Sequence, residues 1–256
     1  MGQKLVLSFV SLFFINLSFA TNATGHAPIG VMGDHYHKTK ERMISIRYSA
    51  MQMKGNTLHN NSISDQEIIT SQINPFASMP NAPTYLSVVP QKMDMQMMMV
   101  GGMYAYSDNL TYMGMLMFMK NKMTSNTYKG AMDRAYLGSF QTGLDDISNF
   151  SFSALYKLAE TNDNRWHLEL GIDKSIGKNN NQDSMLTPMN TYMNMTMPYF
   201  MQMDESTKLI TALTNNRGFN GLVLGSQIKK YSVIEEKDWS FGDKLEISSW
   251  LQKSYD

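Results

Sequence analysis

Side-chain character in this sequence alternates with a period of two over long stretches, and that period fits a β-strand and not a helix. The stretch "KMDMQMMMVGGMYAY" (92–106) holds six methionines in fifteen residues. Every second residue gives Met93, Met95, Met97, Met99, Gly101 and Met103; the interleaved set is Asp94, Gln96, Met98, Val100, Gly102 and Tyr104. A short polar turn, Ser107-Asp108-Asn109, leads into "LTYMGMLMFMK", where Leu110, Tyr112, Gly114, Leu116 and Phe118 alternate with Thr111, Met113, Met115, Met117 and Met119. The pair "ISNFSFSALYKL" and "RWHLELGID", joined by "AETNDN", sets Phe150, Phe152, Tyr156, Trp166, Leu168, Leu170 and Ile172 against Ser151, Ser153, Arg165, His167, Glu169 and Asp173. "MISIRYSAMQM" from Met43 does the same, and weaker strands are expected near 193–202, 208–214, 221–232 and 239–251. The polar, proline-bearing stretch 55–83 reads as loop, as does 121–146. No helical period persists after the N-terminus.

The first twenty residues, "MGQKLVLSFVSLFFINLSFA", have one lysine, an apolar run and a small-x-small ending. This predicts a secretory signal peptide cut after Ala20. No second apolar run reaches the ~20 residues of a membrane-spanning helix, so a membrane would be crossed as a barrel. The expected organisation is signal peptide 1–20, extended N-terminal segment 21–42 and β-barrel domain 43–256. The 22 basic and 22 acidic residues balance, which argues against binding driven by phosphate neutralisation. The absence of cysteine excludes disulfides and thiolate chemistry.

Segments of about ten residues with this alternation are the pattern of transmembrane β-strands. The expected fold is all-β: an antiparallel up-and-down outer-membrane β-barrel. Tyr104, Tyr106, Tyr156, Trp166, Trp239 and Trp250 fall near strand ends, as aromatic girdles would. A soluble periplasmic barrel or sandwich alternates too, with its apolar face inward. The aromatic-rich apolar faces and the charged polar faces favour lipid outside and water inside.

Three stretches carry a resemblance: "HAPIGVMGDHYHKTKERMISIRY" (26–48), "MDMQMMMVGGMYAYSDNLTYMGMLMF" (93–118) and "MPYFMQM" (197–203). They resemble the bacterial outer-membrane transporter family of the MetA-pathway of phenol degradation. The resemblance implies a β-barrel of the Gram-negative outer membrane that passes small solutes. Members of that family look longer, so this chain is expected to lack C-terminal strands and to be truncated or incompletely closed. The charged stretch "SQIKKYSVIEEKD" also departs from a clean barrel pattern.

Lumen-lining candidates are Met113, Met115, Met117, Met119, Arg165, His167 and Glu169. On 93–103 the inward face is less clear from sequence, since Asp94 and Gln96 share the set opposite the methionines. His35 and His37 would share one face of an extended strand. With Met95 and Met97 they form a candidate set for Cu(I) or Ag(I), since thioethers and imidazoles suit soft metals. Otherwise no cofactor is expected. Flexible thioether surfaces also suit apolar or aromatic solutes. There is no G-x-S-x-G, H-E-x-x-H or Walker loop, and no catalytic residue is assigned. The expected function is a non-catalytic outer-membrane channel or binding barrel, with the lipid bilayer as partner and no nucleic acid. The alternative is a periplasmic Met/His-rich copper- or silver-binding protein.

Overall fold

The computed structural model describes residues 27–253, apart from 29, 80, 81, 131 and 132. The signal-peptide reading of 1–20 therefore lies outside the described residues. The strands are β1 (Arg42–Lys54), β2 (Asn56–Leu58), β3 (Asn61–Ile63), β4 (Val88–Ser107), β5 (Leu110–Tyr128), β6 (Tyr136–Glu160), β7 (Asn164–Ser175), β8 (Gln182–Leu186), β9 (Tyr192–Thr196), β10 (Ser206–Phe219), β11 (Leu222–Glu236) and β12 (Lys244–Lys253). Among the described residues one α-helix, α1, spans Asp65–Ser71. No helix among the described residues is long and apolar enough to cross a membrane.

Eight strands form one sheet in the order β1-β4-β5-β6-β7-β10-β11-β12, with every pairing antiparallel. The β2–β3 and β8–β9 hairpins interrupt this up-and-down meander. The sheet curls into a half-barrel that is incompletely closed: among the described residues β1 and β12 each have a neighbour on one side only. Contacts to a single residue show the curl. Met32 is reached by Arg47 of β1 at its sulfur and by Gln227 and Lys229 of β11 at its carbonyl. Those strands lie six sheet intervals apart, roughly 29 Å on a flat sheet with ~4.8 Å spacing. No pair of side chains spans that distance, so the sheet must wrap around residue 32.

The period of two assigns the faces. Ile44, Ile46, Tyr48, Val100, Phe150, Phe152, Leu168, Leu170, Ile172, Leu224, Ile228, Leu245, Ile247 and Leu251 point outward and are exposed, Ile46 at 72% and Ile247 at 71%. The interleaved residues point to the concave side, and His167, Glu169, Thr214, Gln227 and Lys229 there are buried. Of the proposed girdle aromatics, Tyr104, Tyr106 and Tyr156 are exposed on the outer face. Trp250 is not: it is buried inward, opposite Gly225, which leaves the indole its space. Trp239 lies in the β11–β12 connection, its ring against Tyr199 and Phe241.

Two stretches read as loop are regular. β5 and β6 continue through 121–128 and 136–146, and the connection between them is short. The alternation persists there with lysine and aspartate in the outward set, where Lys120 and Asp145 pair at 2.7 Å. Within 55–83, Ser64 and Glu67 form a capping box on α1. That S-x-x-E signal was legible, but α1 is too short to show a helical period. Ile68 and Ile69 pack on Val89.

Gly171 of β7 lies beside Ser153 of β6. A Cβ there would overlap Ser153 and approach the Phe152 carbonyl oxygen to 2.6 Å. Gly171→Ala is expected to cost about 1–3 kcal/mol through overpacking, read as a lower urea midpoint. Gly143→Ala, whose Cβ would stand 3.8 Å from the Asn121 carbonyl oxygen, should leave the midpoint unchanged.

Candidate functional site

The concave side carries two chemically distinct zones. The first forms around the N-terminal segment, which runs into the curl ahead of β1. The carbonyl of Gly33 accepts from His167 Nε2 at 2.8 Å and from Gln227 Nε2 at 3.3 Å. A carbonyl only accepts, so the His167 proton sits on Nε2. Gln227 and Lys229 also donate to the Met32 carbonyl, at 3.1 and 3.3 Å, and Asn216 to the Asp34 carbonyl at 2.9 Å. On the other side Thr111 of β5 accepts from the His37 N–H at 3.1 Å. Side chains of β5, β7, β10 and β11 thus hydrogen-bond backbone groups that no strand partner satisfies.

Beneath the segment lies an ion pair. Lys229 Nζ stands 2.8 Å from Glu169 Oε2, with side-chain exposures of 3% and 0%. Ser153 Oγ donates to Glu169 Oε1 at 2.9 Å. Gly33 sits directly above, at φ +68°, and a Cβ there would come within 2.7 Å of Glu169 Oε2. Glycine is thus required at 33 both for its left-handed backbone and for its contact with the carboxylate. Burial would raise the Asp34 carboxyl, but the hydrogen bond and charge of His35, with the Ala27 N–H, outweigh it and hold it below the ordinary 3.8. The contribution of Asp34 to stability is therefore complete above that value and is lost as pH falls through the lowered one.

The second zone is a wall of thioethers. Register aligns them across three strands: Met43 beside Met103 beside Met113, Met99 beside Met117, Met97 beside Met119, Met51 beside Met95, and Met53 beside Met93 beside Met123. All belong to the concave-facing set. Cross-strand neighbours on one face have Cβ atoms about 4.5–5.5 Å apart, which puts these thioethers within reach of one another. At one end the segment 177–205, which carries the β8–β9 hairpin, folds over the wall. Met197, Met201 and Met203 are buried there with Met123 and Leu144, against Met93, Met119 and Met185. Asn181 fixes this cover by donating to the Gly143 and Met201 carbonyls at 2.9 and 3.2 Å.

Each residue proposed from sequence can now be located. Met113, Met115, Met117 and Met119 lie on the concave face of β5. His167 and Glu169 face the same way, but under the N-terminal segment and not along an open aqueous passage. Arg165 is exposed at the start of β7, 3.3 Å from Glu160; it borders a polar cleft with Tyr36, Asn164 and Asn216. His35 and His37 stack edge-on with ring centroids 4.8 Å apart. Met95 and Met97 do not join them. His35 shares its pocket with Met103 and Met113, and Met97 is six residues further along β4, roughly 20 Å at ~3.4 Å per residue. Lys229 and Gln227 were missed within the charged stretch 226–238. Their signal was parity: both alternate with Leu224 and Ile228, which point outward. No family model matches this chain, and no curated protein matches it.

Breaking the buried pair from one side is the severe perturbation. Lys229→Met strands a buried carboxylate, with an expected loss of about 3–5 kcal/mol and increased protease access to 27–41. Adding Glu169→Gln to that variant should restore most of the loss. Urea titration with limited proteolysis reads both.

Proposed function

We propose that this protein is an outer-membrane β-barrel component that binds or passes small solutes along its concave face, without covalent chemistry. One observation carries the reading: the exposed face of the sheet carries an apolar band from β1 to β12, while the charged and hydrogen-bonding side chains Glu169, Lys229, His167 and Gln227 are inside. Soluble monomers rarely expose contiguous apolar patches beyond a few hundred Å². Here the exposed set runs through Ile46, Val100, Phe152, Leu170, Ile228 and Ile247, on six strands of the sheet. On β5 the outward apolar run extends from Leu110 to Phe118 before Lys120, matching the roughly 9–11 residues of a tilted transmembrane strand. A bilayer supplies the apolar surroundings such a face requires, and the free edges of β1 and β12 would there need partners to satisfy their backbone groups. The resemblance of 26–48, 93–118 and 197–203 to outer-membrane transporters supports the same reading. The methionine wall supports solutes that favour soft, polarisable surroundings.

Cell fractionation tests this directly. The protein should sediment with the outer membrane, resist extraction by salt and alkali, and require detergent. Recovery in osmotic-shock fluid would refute the membrane reading. Leu170→Arg on the outer face should impair assembly, at about 2–4 kcal/mol for a cation near the bilayer midplane, whereas Gln141→Arg, exposed on β6 beyond the apolar band, should be tolerated. Liposomes carrying the protein should admit small aromatic solutes faster than protein-free liposomes.

A further inference from the structure

Where the two concave zones meet, the N-terminal segment closes a small pocket against the methionine wall. Its lining includes Met32, Met43, Met103, Met113, Met115 and His35. We propose that this pocket is a binding site for a single soft monovalent cation, Cu(I) or Ag(I), held by thioethers with His35. The inference goes beyond the membrane reading and does not depend on it, since every residue involved faces the concave side.

Four observations converge. The donor set is concentrated: five methionines and one imidazole line one pocket, and soft thioether donors select Cu(I) among biological metals. The pocket is the right size, about 10 Å³, which is room for one water-sized guest and too little for an organic solute. Its floor is made by glycine. Gly101, Gly102 and Gly114 all line it, and a Cβ on Gly101 would stand 3.3 Å from Ser45 Oγ and 3.4 Å from the Gly114 carbonyl oxygen. A longer side chain at Gly101, which alternates with Met99 and Met103 on the concave face, would take up the space that the flanking methionines surround; Gly102 and Gly114 belong to the outward set and line the pocket with backbone.

The histidine is also arranged as metal-bound histidines usually are. Its Nδ1 lies 2.9 Å from Asp34 Oδ1, so the proton sits between them and the lone pair falls on Nε2. A carboxylate behind the imidazole fixes the tautomer and raises ligand basicity. Asp34 is itself held, its other oxygen accepting from the Ala27 N–H at 2.6 Å. Arg47 lines the same pocket and contacts the Met32 sulfur. Its charge offsets that of Asp34, so the site is close to neutral before a cation enters. That balance disfavours hard divalent ions, which need oxygen donors and net negative charge, and leaves sulfur softness as the source of affinity.

Side-chain contacts within the pocket are tight. Met103 and Met113 are buried beside Leu155, with Met43 packed on them. Packing alone would need only apolar volume there, so the test replaces sulfur and keeps volume.

Full-length protein labelled at the methionine methyl carbons, purified as it is obtained from cells, is titrated with Ag(I), a redox-inert probe. One equivalent should bind saturably, and the Met103 and Met113 methyl resonances should shift before those of Met197, Met201 and Met203. Met103→Leu/Met113→Leu should weaken Ag(I) binding by more than about tenfold, the scale of loss of even an outer-sphere metal partner. Met97→Leu/Met119→Leu, elsewhere on the wall, should bind as the parent does. If the Met103 and Met113 resonances of the unaltered protein do not move, or if silver binds first within the 197–203 cluster, the proposal fails. It fails equally if the Met103→Leu/Met113→Leu protein keeps parental affinity. These readouts hold whichever cell fraction yields the protein, so failure here is separable from failure of the membrane reading.

Discussion

A short length of irregular chain holds the half-barrel in its shape. Met32, Gly33 and Asp34 offer carbonyl groups that no strand pairs, and Gln227, Lys229, His167 and Asn216 satisfy them from three different strands. Arg47 reaches the same residue, Met32, from the opposite side of the sheet. Buried backbone groups must find partners, so this requirement ties β1 to β11 through the interior. The ion pair between Glu169 and Lys229 makes the tie costly to break, because either charge alone would be stranded without water. Curvature in this sheet is therefore fixed from inside.

The two faces of the sheet follow opposite chemistry, and this is the basis of the functional reading. A water-soluble barrel places its apolar set inside and its polar set outside. Here the sign is reversed: Leu168 and Leu170 are exposed while Glu169 is fully buried between them in sequence. The concave side is not uniformly polar either. One part is a hydrogen-bonded seat for the N-terminal segment, and the other is a sheet of thioethers covered at one end by the 177–205 insertion. Methionine serves in that second part because three rotatable bonds let it fill irregular space under a cover that is not regular structure.

Much of this could be read from the chain. Period-two alternation placed β1, β4, β5, β6 and β7, because each strand has one face against apolar surroundings or solvent and one against the interior. The hairpin at Ser107–Asn109 and the outward set Leu110, Leu116, Phe118 followed from the same pattern. The reading fell short where charge replaced apolar residues on the outward face. Lys120, Lys122 and Asp145 continue strands β5 and β6, and alternation of polar with polar is hard to recognise. The inward direction of Met93–Met103 was ambiguous for a related reason: Asp94 and Gln96 sit on the outer set, beyond the apolar band that begins at Met98.

The sequence by itself determined β1 and the apolar stretches of β4, β5, β6 and β7, and which residues of each share a face, because side-chain direction is set locally by the backbone pleat. It also determined the concentration of thioethers, since adjacent strands joined by a tight turn fall into register. Only the tertiary structure decided that His35 belongs with Met103 and Met113, that Glu169 is paired with Lys229, and that Trp250 turns inward onto Gly225. Those neighbours lie far apart along the chain. Glu169 meets Lys229 and Trp250 meets Gly225 through strand order and register; His35 meets the methionines because the sheet curls around the N-terminal segment, and curvature is a property of the whole set of strands that no local pattern records.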